Sequence, residues 1–383
     1  MSKVYLDNAA TTRMHDEVID VMVKGMKINF GNPSSTHFFG RESKAAIENV
    51  RKVIARLTGV SSAEIIFTSC GTEANNLILR SCVEYLNVKR IITTRIEHSC
   101  VQETVNSLEE NQHIRIDYVR INEKGEIDLT HLEELLQNSD EKTLVSIMHG
   151  NNEIANLNPI IEIGNLAREH QALFHSDMVQ TLGHYEINLE ELPLDFASSS
   201  AHKYHGPKGV GFAYIKKSTA LKAQITGGGQ ERNLRSGTEN LHGILGMGKA
   251  FEMAIDHLED KTSYVSNLKA YAISKLSEAV PNIRFNGLSE NPEKSLFAVL
   301  SISLPFKDDL IGFELELRGI AVSQGSACQS GAVQKSRVLT EIYPQEFINS
   351  TTPLRISFSK YNSEKDIDTL VTALSEIAQK HSK

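Results

Sequence analysis

The stretch Asp195-Phe196-Ala197-Ser198-Ser199-Ser200-Ala201-His202-Lys203 decides the fold when set beside Leu173-Phe174-His175-Ser176-Asp177 upstream. Each begins as a short apolar run, too brief for a helix, and each stops on polar residues. The first run in the chain ends in an aspartate; the next ends in a hydroxyl cluster, a histidine and a lysine. Working outward, seven runs read as buried strands, at 64–68, 90–94, 114–119, 144–149, 173–176, 195–199 and 210–215. Helical patterns lie between several of them, at 72–85, 99–110, 129–136 and 159–170. This alternation implies an α/β fold with a seven-stranded, mostly parallel sheet covered on both faces. Such sheets bind ligands in the crevice beyond the strand C-termini. Gly71-Thr72, Glu97-His98, Asn151-Asn152, Asp177 and Ser200 to Lys203 all fall there.

The last third changes character. A helical stretch at 239–258 leads into another at 263–279, strand-like 297–304 and 354–358 flank a helix near 308–318, and the chain closes on amphipathic 364–380. This reads as a smaller α+β domain formed by 1–14 and 256–383, beside a large domain over 15–255. The first fifteen residues are expected to cross over or pack between the two.

At 383 residues the chain has room for this arrangement, and 40% hydrophobic with 23% charged residues is ordinary for a soluble globular protein. A net charge of −8 without any Lys/Arg-rich block argues against a nucleic-acid partner. The N-terminus turns polar by Asp7-Asn8, so no secretory segment is expected, and no apolar run is long enough for a bilayer. Cys70, Cys82, Cys100 and Cys328 form no CxxC pair and no metal-finger spacing, which fits a reduced, cytoplasmic setting. The first three read as core.

The layout around Lys203 suits pyridoxal phosphate. A lysine amine can form a Schiff base with the aldehyde, an acid such as Asp177 can keep the pyridine nitrogen protonated, and hydroxyl and imidazole groups can hold the phosphate. Each residue also has a plainer reading. Gly71-Thr72 opens a helix and can bind an anion or simply cap it. His98 can stack on a ring and shuttle protons, or be structural. Asp177 can pair with a pyridinium, or form a salt bridge to a nearby arginine or cap the following helix. Lys203 next to the core can lose its charge and become a nucleophile, or sit in a basic surface loop. The glycine-rich run from Gly227 to Thr238 can approach a phosphate but carries no Walker pattern. Cys328, in the small polar loop Gly325-Ser326-Ala327-Cys328-Gln329-Ser330-Gly331, is a nucleophile if exposed as thiolate, or an incidental thiol. Arg355 can clamp a carboxylate or make an edge-strand ion pair. A rival reading gathers His149, His175, Asp177 and His202 into a metal site for a hydrolase.

Together these motifs resemble the cysteine desulfurases of the NifS/IscS type, in the class V aminotransferase group of fold-type I pyridoxal phosphate enzymes. The resemblance runs from Tyr5-Leu6-Asp7-Asn8-Ala9-Ala10-Thr11-Thr12 to about Phe358. It includes Gly31-Asn32-Pro33-Ser34-Ser35, Asn151-Asn152-Glu153-Ile154, His202-Lys203, Arg235-Ser236-Gly237-Thr238 and the loop ending at Cys328. It implies that Lys203 holds the cofactor and moves the Cα proton, Asp177 pairs with the pyridine nitrogen, and Gln180 with the ring hydroxyl. His98 would stack on the ring and join in proton transfer. Gly71, Thr72, Ser200 and His202 would bind the phosphate, with Thr238 reaching in from a second subunit of a homodimer. Asn152 and Arg355 would hold the carboxylate of L-cysteine. Cys328 would take the sulfur as a persulfide, releasing alanine, and pass it to an acceptor protein such as an iron–sulfur scaffold. Three departures stand out. Ala201 replaces a common glycine, the loop after Cys328 lacks a common Glu-Pro, and the chain ends at Lys383 without the longer tail of the housekeeping members. The resemblance leaves open a selenocysteine lyase, a cystine C–S lyase or a small-substrate transaminase.

Overall fold

Continuous runs of Ile, Val and Phe make strands that can be buried on both faces. The computed structural model describes residues 3–138, 140–219, 221–256, 258–324, 326–327 and 333–381. Seven strands form one sheet: β1 (Ile65–Thr68), β2 (Arg90–Thr93), β3 (Arg115–Tyr118), β4 (Thr143–Ser146), β5 (Leu173–Asp177), β6 (Phe196–Ser200) and β7 (Gly211–Ile215). Their order is β1-β7-β6-β5-β4-β2-β3. Strand β7 is antiparallel to β1 and β6, and the other neighbours are parallel. Strands β1, β2, β4, β5 and β6 therefore all end at one edge of the sheet.

The pleat explains why the runs are apolar throughout. Phe67, Ile92, Val145 and Ala197 face a core that includes Ile54, Phe174, Met247 and Phe251. Their neighbours Ile66, Ile91, Leu144 and Phe196 face the opposite side, against Leu77, Ile78, Val101 and Leu108. The helices Gly71–Leu86 and Ser99–Gln112 cover that second face. On the first face, Phe38–Leu57 and Asp16–Ile28 pack on Leu241–Ile255. The approach is close: a Cβ added at Gly248 would stand 2.7 Å from Val50 Cγ1. The sequence reading did not anticipate Asp16–Ile28 or Phe38–Leu57. In the first, exposed Ile19, Val23 and Met26 blur the apolar stripe.

Strand β4 ends at Ser146, short of the expected run to 149, although Ile147 N–H and His149 N–H still donate to His175 O and Asp177 O of β5 at 3.1 and 3.0 Å. Met148 N–H donates to the Glu97 carboxylate at 3.0 Å.

A second core gathers Leu268, Leu276, Ile302, Ile356, Leu370 and Leu374. It lies between the antiparallel strands Arg284–Phe285, Val299–Leu304 and Thr352–Ser357 and the helices Leu258–Ala279 and Glu364–His381. Val4 and Leu6 belong to this core, and Val4–Tyr5 pairs in parallel with Ile320–Ala321. The chain then crosses to the large sheet, where Thr12 N–H donates to His202 O at 3.0 Å. The N-terminal segment is thus a strap between the two cores.

Candidate active site

At the edge where the parallel strands end lies a cavity of about 280 Å³. Gly71, Thr72, His98, Asn152, Asp177, Gln180, Ser200, His202 and Lys203 all line it, with Ala10, Cys70, Cys100, Met148 and Val179. The sheet topology brings these residues together from chain positions far apart.

Lys203 closes a single 3₁₀ turn, Ala201–Lys203, directly after β6. Its Nζ donates to Ala9 O at 2.6 Å and Ala10 O at 3.0 Å on the strap. Burial lowers its pKa to about 8; the Arg355 charge adds to this, while Asp177 and Asp7 oppose it. The surface-loop reading of Lys203 is set aside by this seat.

Asp177 ends β5 and is buried. Among the described residues no arginine pairs with it. Oδ1 accepts from Val179 N at 3.0 Å and Oδ2 from Asn75 Nδ2 at 2.8 Å. His98 caps Ser99–Gln112, with Nδ1 accepting from Cys100 N at 3.1 Å. Desolvation lowers its pKa, so the ring is neutral near pH 7. Burial, with the charges of Lys203 and Lys208, takes His202 to about 4, and its Nδ1 lies 3.2 Å from Thr11 Oγ1. Gln180 Nε2 donates to Ala9 O at 3.1 Å. Asn151 shapes the loop bearing Asn152: its Oδ1 accepts from Glu153 N and Ile154 N, and its Nδ2 donates to Ile96 O.

The residues fit pyridoxal phosphate at specific atoms. Ser200 Oγ is buried and has no hydrogen-bond partner among the described residues. The helix Gly71–Leu86 begins without a side-chain cap, leaving its first N–H groups for an anion. The close approach there needs glycine, because a Cβ at Gly71 would stand 2.5 Å from Val179 Cγ2. A phosphate suits that end, and a cationic ring nitrogen suits Asp177.

Some expected residues lie elsewhere. Arg355 Nη1 donates to Asn152 O at 3.0 Å and its Nη2 meets Asp7 Oδ1 at 2.9 Å, beside a small cleft lined by Glu153, Ser301 and Ser336. Its Nε is buried without a partner among the described residues. Thr238 is exposed and lines a separate cleft with Phe67, Ser69, Gly209 and Arg235. Cys328 lies outside the described residues. Cys82 is core as expected, but Cys70 and Cys100 are not: both line the cavity because they flank helix starts at the sheet edge. Burial raises the Cys100 thiol to about 12, which keeps it protonated. The metal reading fails geometrically. His149 bonds Thr181, His175 is held between Ser146 and Asn75, and no group of three metal-ligating side chains converges among the described residues. Sequence reasoning missed Asn75; its signal was its spacing from Gly71 and Thr72 on one helix face.

The architecture is that of the fold-type I aminotransferases, and the comparisons agree. The aminotransferase class-V profile matches residues 4–370. The chain is 40% identical to the cysteine desulfurase IscS of Dictyoglomus turgidum, over 99% of this chain and 95% of that one. It is 38% identical to the putative cysteine desulfurase IscS 1 of Bacillus subtilis, over 99% and 100%. A solved NifS-like protein superposes with a TM-score of 0.90 at 36% identity, covering 99% of this chain and 100% of the other. The chain belongs to the class-V aminotransferase family.

Proposed function

We propose that this chain is a pyridoxal phosphate-dependent cysteine desulfurase, converting L-cysteine to L-alanine and leaving the sulfur as an enzyme persulfide. The observation that carries the reading is the convergence of Lys203, Asp177, His98 and Ser200 on one cavity, in a chain 40% identical to a cysteine desulfurase.

Bound there, pyridoxal phosphate supplies the electron sink that makes the substrate Cα proton removable. Lys203 would anchor it and carry that proton, and a pKa of about 8 leaves a useful fraction of the amine as free base near neutral pH. Asp177 would hold the ring nitrogen as a cation, Gln180 the ring hydroxyl, and His98 would stack on the ring. Thr72, Ser200, His202 and the helix start at Gly71 would hold the phosphate. Arg355 and Asn152 would orient the substrate carboxylate. Cys328 would attack the substrate sulfur: the new S–S bond forms, the C–S bond breaks, and the balance is cysteine plus thiol to alanine plus persulfide.

Three further elements belong to this reading. The chain works as a homodimer in which Thr238, exposed and away from its own cavity, reaches the partner's phosphate site. It divides into a large domain over 15–255 and a small domain of 1–14 and 256–383, in keeping with the separate cores. It acts in the cytoplasm and hands sulfur to an iron–sulfur scaffold or another acceptor protein, a role suited to free thiols. No helix among the described residues is long and apolar enough to cross a membrane.

The test is incubation of the cofactor-loaded protein with L-cysteine, quantifying alanine and trapped persulfide, with cystine and selenocysteine as parallel substrates. Cys328→Ala should keep the cofactor and lose persulfide. Normal alanine release from that variant would remove Cys328 from the mechanism.

A further inference from the structure

Behind the Asp177 carboxylate runs a buried chain of hydrogen bonds. Asn75 Nδ2 donates to Asp177 Oδ2 at 2.8 Å. Asn75 Oδ1 lies 3.1 Å from His175 Nε2, and His175 Nδ1 lies 2.9 Å from Ser146 Oγ. Asn75, His175 and Ser146 are all fully buried, each at 0% exposure, so no solvent can replace a missing partner.

The polarity of this chain follows from its end. An ionised carboxylate only accepts, so Asn75 must present its NH₂ to Asp177. Its carbonyl then faces His175, whose Nε2 must carry the proton. The bare Nδ1 in turn must accept from the Ser146 hydroxyl. The opposite arrangement would set the Asn75 carbonyl against a carboxylate in a dry environment. The second Asn75 amide hydrogen has an acceptor of its own in Cys100 Sγ, at 3.2 Å. Burial takes the His175 pKa down to about 4, with Asp177 opposing, so the imidazole stays neutral and can serve as donor and acceptor at once.

We propose that Asn75, His175 and Ser146 form a directional relay of positioning residues that fixes the orientation of the Asp177 carboxylate for the cationic ring nitrogen of pyridoxal phosphate. This rests on the reading of the cavity given above. Val179 N–H fixes one carboxylate oxygen and Asn75 the other, leaving Asp177 a single rotamer in which to meet the ring. Removing the relay leaves a buried Asp177 oxygen with one donor fewer and the carboxylate free to turn away from the ring.

Two measurements test it. The ¹⁵N spectrum of histidine-labelled, cofactor-free protein at pH 7, with His175 assigned by its loss in His175→Gln, should show a neutral ring protonated on Nε2. Titration with pyridoxal phosphate should show Asn75→Leu and His175→Leu binding at least about tenfold more weakly than wild type, the scale of a lost hydrogen bond to a charged group. Their bound cofactor should also show a shifted absorbance band. His175→Gln, which keeps a donor toward Asn75, should recover most of both. A His175 proton on Nδ1, or leucine variants with wild-type affinity and spectrum, overturns the relay. Should the leucine variants not fold, the tautomer of the wild-type ring decides. A wild-type chain that takes up no pyridoxal phosphate overturns the reading of the cavity, and the purpose of the relay with it.

Discussion

Lys203 Nζ and the carbonyl oxygen of Ala9 stand 2.6 Å apart, although 194 residues of chain separate them. The contact ties the turn after β6 to the strap that joins the two cores. It places the amine at the sheet edge among carbonyls, with no carboxylate in contact among the described residues, and that environment sets its chemistry.

The amine should titrate early. Burial and the Arg355 charge lower the Lys203 pKa to about 8, against an ordinary value near 10.4. An amine-reactive label, mapped by peptide mass spectrometry on cofactor-free protein, should react at Lys203 with a midpoint near pH 8. Arg355→Met should move that midpoint upward, because a nearby cation no longer disfavours the ammonium. A midpoint above pH 10 in the parent protein contradicts the assignment.

Ser200 offers a separation of binding from stability. Its buried Oγ has no partner among the described residues, so the folded chain loses little when it goes. Ser200→Ala should unfold within about 1 kcal/mol of wild type in urea, yet bind pyridoxal phosphate roughly tenfold more weakly through the lost phosphate contact. Equal affinities would remove Ser200 from the phosphate site.

Lys269, which does not line the cavity, carries a stability signature of its own. It is 4% exposed, donates to Ser295 Oγ and Leu296 O, and has its pKa lowered by burial to about 7. With the folded value depressed, the unfolded chain binds more protons between pH 7 and about 10, so this group makes stability rise with pH there. Below pH 7 the charged, buried ammonium costs its full penalty. Lys269→Met should therefore gain most over wild type near pH 6, and the gain should shrink by roughly 2–3 kcal/mol by pH 9 in urea melts. A pH-independent difference would show that the ammonium is solvated.

Arg51 and Glu231 should prove costly to separate. The pair is bidentate at 2.7 Å with both side chains buried, and Glu231 Oε2 also accepts from Phe67 N. It holds a segment in which Glu231, Arg232 and Asn233 have φ of 45°, 59° and 65°, a left-handed run that non-glycine residues resist. Arg51→Met leaves a buried carboxylate unpaired and should cost about 3–5 kcal/mol. Calorimetry showing less than about 1 kcal/mol would mean that water reaches Glu231.

The sequence carried the sheet well, for a physical reason. Strands such as Ile65–Thr68 and Thr143–Ser146 are buried on both faces, so their apolar runs are unbroken. Polar residues at their ends then marked the ligand edge, which is why Asp177, Ser200 and Lys203 were legible as a group. Phe38–Leu57 was not, because it follows a polar loop and exposes Phe38 and Phe39 at its start. Cys70 and Cys100 looked like core residues, since nothing local distinguishes a helix start that faces a cavity from one that faces a neighbour. The relay behind Asp177 was hidden for a related reason. Ser146, His175 and Asn75 come from two strands and a helix, and only the β4–β5 register and the packing of the helix bring them into line.

Lys203 is the proposed anchor of pyridoxal phosphate in this cavity. Borohydride reduction of the cofactor-loaded protein, followed by peptide mapping, tests it directly. One reduced cofactor per chain is expected, carried on Lys203, and none in Lys203→Ala. Attachment at a different lysine, or undiminished labelling of Lys203→Ala, would contradict it.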